Sequence, residues 1–209
     1  MLELGNQRIA RGRGVAERTG KTYFTHRGVE HTAIDFNGKD GALPYDLSKP
    51  IDRPDWMGAF DIVTNSGTTE HVEPFEGQFT CFESIHNWLK PGGITVHIVP
   101  AIEELEANGR WRNHCNIYYS KAFFDELARL NSYEVIESTV MNDLRAVSLR
   151  KTTNEPFTTD RERFFANLTL KAGGIEYFGV NDPRRRSLHA IIRTLRRKVF
   201  GRAASGRPD

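Results

Sequence analysis

The sequence predicts an α/β fold: a doubly wound, mostly parallel seven-stranded sheet closed by an antiparallel C-terminal hairpin, plus a helical C-terminal appendage. Three observations lead there. The apolar run Phe60-Asp61-Ile62-Val63 breaks off into Asn65-Ser66-Gly67-Thr68 and then a helix start. Leu89-Lys90-Pro91-Gly92-Gly93 leads into a second apolar run over 94–100, so strand, loop, helix, turn and strand make one crossover unit of a parallel sheet. Residues 133–140 and 144–149 alternate apolar and polar around Met141-Asn142-Asp143, the pattern of an antiparallel pair.

The elements follow in chain order. Residues 1–4 form a first strand that runs into Gly5-Asn6-Gln7, and 8–23 a helix weakened by Gly12, Gly14 and Gly20. A second strand over 30–36 leads to Asp35, and Asn37-Gly38-Lys39-Asp40-Gly41 is turn chemistry. A short third strand at 43–47 is stopped by Pro50 and Pro54, and the fourth spans 61–65. Phe79, Phe82, Ile85, His86 and Leu89 share one face of the next helix, and the Lys-Pro-Gly-Gly turn feeds the fifth strand at 94–99. Residues 101–114 read as a loop with helical pieces. Ser120 is the N-cap of a helix running to Leu130, with Phe123, Phe124, Leu127 and Leu130 at helical spacing. Beyond the hairpin, 152–177 read as an added helical piece, and Leu188, Ile191, Ile192, Leu195 and Val199 as the apolar stripe of an Arg-rich helix. Residues 201–209 are expected to be disordered. The expected domains are 1–151, carrying the sheet, and 152–209, a helical appendage with a basic amphipathic tail.

The chain has 209 residues, 38% hydrophobic and 27% charged, which suits a globular domain with a real core. No apolar run approaches the roughly 20 residues that cross a bilayer, and no secretory signal opens the chain. Cys81 and Cys115 lie far apart without CxxC spacing and are expected to be reduced thiols, so the expected location is cytoplasmic. Residues 183–209 hold nine Arg or Lys against Asp209 alone, while the whole chain is only +2, so the body is acidic and the tail basic. Residues 184–200 suit an anionic membrane surface or a protein partner. Specific nucleic-acid recognition is disfavoured, because Phe200 is the only aromatic there for base stacking.

Taken together, four places resemble the class I S-adenosylmethionine-dependent methyltransferase family over residues 1–151. Leu2-Glu3-Leu4-Gly5 matches the acid-x-Gly opening of its first strand, and Asp35 the acidic end of its second. The stretch from Phe60 through Asn65 to Glu70-His71-Val72 matches the fourth-strand motif, and Leu89-Lys90-Pro91-Gly92-Gly93 the turn before strand five. Members usually carry a helix before the first strand, so a late or truncated start is expected here. The resemblance implies S-adenosyl-L-methionine as cofactor. The expected activity is transfer of its methyl group to an oxygen or nitrogen of a small molecule, with a sugar or other metabolite favoured.

It also implies roles for particular residues. Gly5 would let the backbone approach the amino acid part of the cofactor, with Glu3 orienting that loop or accepting from the ammonium through water. Asp35, with Asn37 beside it, would accept the ribose hydroxyls, although a turn-forming Asp is the plain reading of the same residue. Asp46, before Leu47, would sit near the adenine amino group or serve as a turn acid. Asn65, Ser66 and Gly67 would line the floor under the methionine portion. Two departures stand out: Asn6-Gln7 replaces the usual second glycine of the loop, and the Gly5–Asp35 gap exceeds the roughly 20 residues of such units. Either the Gln7 side chain crowds the loop, or Asn6 and Gln7 hydrogen-bond the cofactor themselves.

For catalysis, His114 is favoured as a general base, with His71 and Tyr118 as further candidates, since a neutral imidazole suits that work near pH 7. His97, alternating inward on a strand, reads as a core histidine. No metal is expected, because Glu70, His71 and His114 lack HExxH-like spacing. Two rival readings stay open. One is a non-catalytic methyltransferase-like scaffold that docks a partner through the basic tail. The other is a nicotinamide enzyme using the glycine turn with Asp35.

Overall fold

The computed structural model describes residues 1–12, 14–101, 114, 115, 117–141 and 144–170. Its strands are β1 (Leu2–Leu4), β2 (Thr32–Ile34), β3 (Phe60–Ser66), β4 (Leu89–Pro100), β5 (Ile117–Tyr119), β6 (Tyr133–Met141), β7 (Leu144–Lys151) and β8 (Leu168–Leu170). Its α-helices are α1 (Gly20–Thr25), α2 (Gly77–Trp88), α3 (Lys121–Leu130) and α4 (Arg161–Ala166). Six strands form one sheet in the order β2-β1-β3-β4-β7-β6. The first four are parallel, and β7 and β6 are antiparallel, as the alternating runs require. The remaining two, β5 and β8, pair antiparallel in a sheet of their own.

Several expectations are corrected. The seventh strand is reduced to one bridge: Leu43 meets Ile34, with Leu43 N–H donating to the Ala33 carbonyl and Asp35 N–H to the Leu43 carbonyl. Pro44 follows and has no N–H for another rung. The helix expected over 8–23 is only α1, which begins where Thr19 accepts the Thr22 amide at 3.1 Å. Before it the chain makes an excursion closed by a bridge between Arg8 and Thr19 and by Ile9 N–H on the Arg18 carbonyl. That excursion accounts for the long spacing from Gly5 to Asp35. Lys90-Pro91-Gly92-Gly93 is not a turn ahead of the strand but a bulge inside β4. Leu89 pairs with Phe60 and Ile94 with Ile62, and Lys90 Nζ holds Asp61 at 2.7 Å across the gap.

The core lies on one face of the sheet. There Val63, Val99, Val147 and Leu149 meet an aromatic cluster of Phe79, Phe82, Phe123, Phe124, Phe157 and Phe164. Helices α2 and α3 are held on this face by local signals of their own. Ser120 accepts the Phe123 amide at 3.0 Å to start α3, and Lys151, buried, donates to the carbonyls of His86 and Leu89 at the end of α2. His97 is a core histidine stacked on Phe82, and burial pushes its pKa down to about 3. On the opposite face Thr64, Ile94, Val96 and Ile98 remain partly exposed and Ile62 is exposed.

Phe157, Phe164 and Leu168, placed by the sequence in an appendage, pack in this same core, and residues 1–172 form one compact unit. The expected stretch over 102–113 and everything after Leu170, including the amphipathic and basic tail, lie outside the described residues. Phe164→Ala is expected to lower the unfolding free energy by about 3–5 kcal/mol in a single urea transition. A negligible change, or a separate early transition, would mean that this segment does not share the core.

Candidate functional site at the strand ends

The carboxyl ends of β1, β2 and β3 converge, and two loops cover them. Gly5 closes β1 with φ +79° and donates to the Ile34 carbonyl at 2.7 Å. The left-handed backbone favours glycine, and so does the space, because a Cβ would overlap Thr68 Oγ1. Thr68 in turn donates that hydroxyl to the Leu4 carbonyl at 2.9 Å. The group that approaches Gly5 closely is therefore Thr68 of the β3 loop. Gln7 completes the closure, its Nε2 donating to the Ser66 carbonyl at 2.6 Å.

Asp35 is fixed by the loops around it. Its Oδ2 accepts the Asn6 amide and its Oδ1 the Asn37 amide, both at 2.9 Å. Asn6 turns its side chain outward to the Lys39 carbonyl and Asp40, while Asn37 Oδ1 accepts the Lys39 amide at 2.7 Å. Phe36, beside Asp35, is 65% exposed. Asp46 serves the turn that follows it, accepting from the amide and hydroxyl of Ser48 and pairing with Lys49 at 3.0 Å. Leu47 is a core residue. Asn6, Asp35 and Asn37 thus form one hydrogen-bonded cluster beside Gly5, whereas Asp46 and Leu47 have evident work elsewhere.

Glu3 points to the other side of β1, where a Cβ on Gly20 would strike its carboxylate. Burial pushes its pKa up to about 7, against a smaller opposing pull from the Gln7 amide. His31 Nε2 lies 3.5 Å from Glu3, and burial holds that imidazole down at about 4. An apolar cavity of about 410 Å³ borders Glu3, Gln7, Tyr23, Val96 and Ile98.

Asn65 is wholly buried and organises the loop after β3. Its Oδ1 accepts the amides of Thr68 and Thr69, and its Nδ2 donates to Thr69 Oγ1 at 2.7 Å and His97 Nδ1 at 3.1 Å. With Nδ1 accepting, His97 carries its proton on Nε2, which faces Thr95 Oγ1 at 3.0 Å. From α2, Gln78 donates to the carbonyls of Thr69 and Val72 and accepts the Tyr119 hydroxyl. Between these clamps the 3₁₀ turn Thr69–His71 aims Glu70 inward and leaves His71 partly exposed.

His114 comes to that turn from just before β5, its Nε2 3.3 Å from His71 Nε2. Glu70 Oε1 lies 4.0 Å from His71 Nε2, and the three ligand-type atoms fall within 4.8 Å of one another. Burial pushes the Glu70 pKa up to about 7. Of the catalytic candidates, then, His71 and His114 meet at the strand ends. Tyr118 does not join them at the surface: it is buried, its hydroxyl donates to the Cys115 carbonyl at 3.0 Å, and burial raises its pKa. Gln78 was missed, though a polar residue one helical turn before Phe82 on the apolar face of α2 was a usable signal.

This sheet order with its closing hairpin, and a cluster at the carboxyl ends of the parallel strands, define a methyltransferase-like Rossmann fold. Solved structures share it. The 1,6-didemethyltoxoflavin-N1-methyltransferase of Burkholderia thailandensis, solved with S-adenosylhomocysteine, is 17% identical with a TM-score of 0.50, over 73% of this chain and 71% of that one. The PH0226 protein of Pyrococcus horikoshii is 17% identical at TM-score 0.51, over 72% and 80%. The [4+2]-cyclase SpnF is 13% identical at 0.50, over 75% and 74%. Such identities establish the fold, that of class I S-adenosylmethionine-dependent methyltransferases, and the cyclase shows that the fold alone does not dictate a reaction. No protein-family model matches the chain, and no curated protein matches it.

The buried Glu3 makes stability depend on pH. Its carboxyl holds its proton in the folded chain up to about 7 but releases it near 4.5 when unfolded. Its stabilising contribution is therefore full below 4.5 and is lost as pH rises toward 7. Glu3→Gln should remove that loss, gaining about 2 kcal/mol relative to the native chain between pH 4.5 and 8 after allowance for solvent screening. Urea titrations at the two pH values check it, and parallel curves would contradict the assignment.

Proposed function

We propose that the chain is an S-adenosylmethionine-dependent methyltransferase acting on an oxygen or nitrogen of a small molecule, such as a sugar or another metabolite. The observation that carries this reading is the clamp on Asp35. Two backbone amides hold its carboxylate rigidly at the end of β2, and each oxygen keeps a lone pair for a further donor such as a ribose hydroxyl. Phe36 next to it offers a flat exposed ring for a base. Ser66 and Gly67, at the end of β3, would supply backbone carbonyls of the kind that suits an ammonium group. Because methyl transfer is an in-line displacement, positioning donor and acceptor supplies much of the acceleration, and a rigid cluster favours that.

Gln7 gives the reading a particular form. Its amide occupies the Ser66 carbonyl, the acceptor that the cofactor's ammonium would use, so binding would require Gln7 to swing away. Calorimetric titration of the full chain with S-adenosylhomocysteine, with NAD as control, tests the function, and failure to bind in folded protein would overturn it. Asp35→Ala should weaken S-adenosylhomocysteine by about 1–3 kcal/mol. Gln7→Gly should tighten it severalfold by removing the competing amide. An unchanged dissociation constant in either folded variant would withdraw that residue's role.

A further inference from the structure

We propose that Glu70, His71 and His114 form a binding site for a divalent transition-metal ion of the zinc type. Two imidazoles and one carboxylate are the donor set of zinc sites that leave coordination positions open for a reactant. Tetrahedral ligands about 2.1 Å from an ion are about 3.4 Å from each other. The His71–His114 nitrogens already stand at 3.3 Å, Glu70 Oε1 is 4.0 Å from His71 Nε2, and all three ligand-type atoms fall within 4.8 Å, so the Glu70 carboxylate must shift toward the two imidazoles to complete the set.

An independent observation comes from Glu70. The residue is wholly buried, and neither carboxylate oxygen has a hydrogen-bond partner among the described residues. Its two tyrosine neighbours direct their hydroxyl protons elsewhere, Tyr118 to the Cys115 carbonyl and Tyr119 to Gln78 Oε1. A buried carboxylate is costly unless it is paired or holds a metal. Here the clamps from Asn65 and Gln78 hold it in place facing two histidines. Imidazole donors favour zinc and its first-row neighbours over magnesium, which prefers all-oxygen coordination.

The position of the site gives the ion a use, and this part rests on the methyltransferase reading above. Glu70 Oε1 stands over the β3 loop, 3.4 Å from where a Cβ on Gly67 would lie, so the open positions adjoin the cofactor cleft. The acceptor class this selects is a hydroxyl rather than an amine, since a bound cation lowers a hydroxyl's pKa. The hydroxyl binds the ion and releases its proton to solvent. Its oxygen then takes the methyl group as the carbon–sulfur bond of the sulfonium breaks, leaving the thioether.

The test is calorimetric titration of the chelator-stripped full chain with zinc chloride, with magnesium chloride for comparison, on the native chain and on Glu70→Gln and His114→Asn. Glu70→Gln replaces a buried acid by a neutral isostere, and His114 is exposed, so both variants should fold, which circular dichroism checks. The expected result is one zinc ion per chain, little response to magnesium, and at least about ten-fold weaker zinc binding in each variant. No zinc binding by the folded native chain, or undiminished binding in both folded variants, overturns the site. S-adenosylhomocysteine binding measured on the same samples separates the two readings. Zinc binding without it would uphold the site and remove the methyltransferase role, and the converse would do the opposite.

Discussion

The carboxamide of Asn65 is the contact on which the rest of the site depends. It is wholly buried at the end of β3, where the chain must leave the sheet, and it uses both its oxygen and its nitrogen. Each buried polar group it satisfies would otherwise cost about 1–3 kcal/mol. By fixing the amides of Thr68 and Thr69 it sets the direction of the following turn. Thr68 is thereby laid over Gly5, and Glu70 is turned inward beside Tyr118 and Tyr119. Its bond to His97 ties this loop to the neighbouring strand, so the floor of the cleft is a continuous polar network set into an apolar core.

That core explains why so many titratable groups sit far from their ordinary ranges. A single face of the sheet collects the large aromatic side chains, and the histidines caught among them, His86 and His97, are held neutral by burial. Glu3 and Glu70 feel the same desolvation with the opposite sign for acids. Both acids flank the strand ends, one on each side of the sheet. Their raised pKa values mark places where the fold tolerates a carboxyl group that packing alone would replace by an amide or a hydrocarbon.

Much of the fold was legible. The crossover unit 60–100 and the hairpin 133–151 follow from periodicities of apolar residues that no tertiary contact overrides, and Ser120 is a capping residue that acts within a few positions of itself. The lost third strand was harder, because Pro44 removes one donor in an otherwise plausible run. The excursion between Arg8 and Thr19 was harder still, since its helix-like residues are held by a long-range pairing. The segment 152–170 was misread as an appendage because Phe157 and Phe164 are apolar in either role, and only their partners distinguish core from surface.

The same division runs through the site. The sequence by itself determined the order of the strands, the acid at the end of β2 and the small polar residues at the end of β3, because these depend on spacing along the chain. Tertiary structure alone decided that Gln7 spans to Ser66, that Thr68 packs onto Gly5, and that His114 meets His71 across 43 positions of sequence. It also decided that Glu70 is buried with no hydrogen-bond partner among the described residues, while Tyr118 is turned inward to Cys115. Those outcomes depend on which side chains share a volume after the sheet has closed, and local propensity carries no information about that.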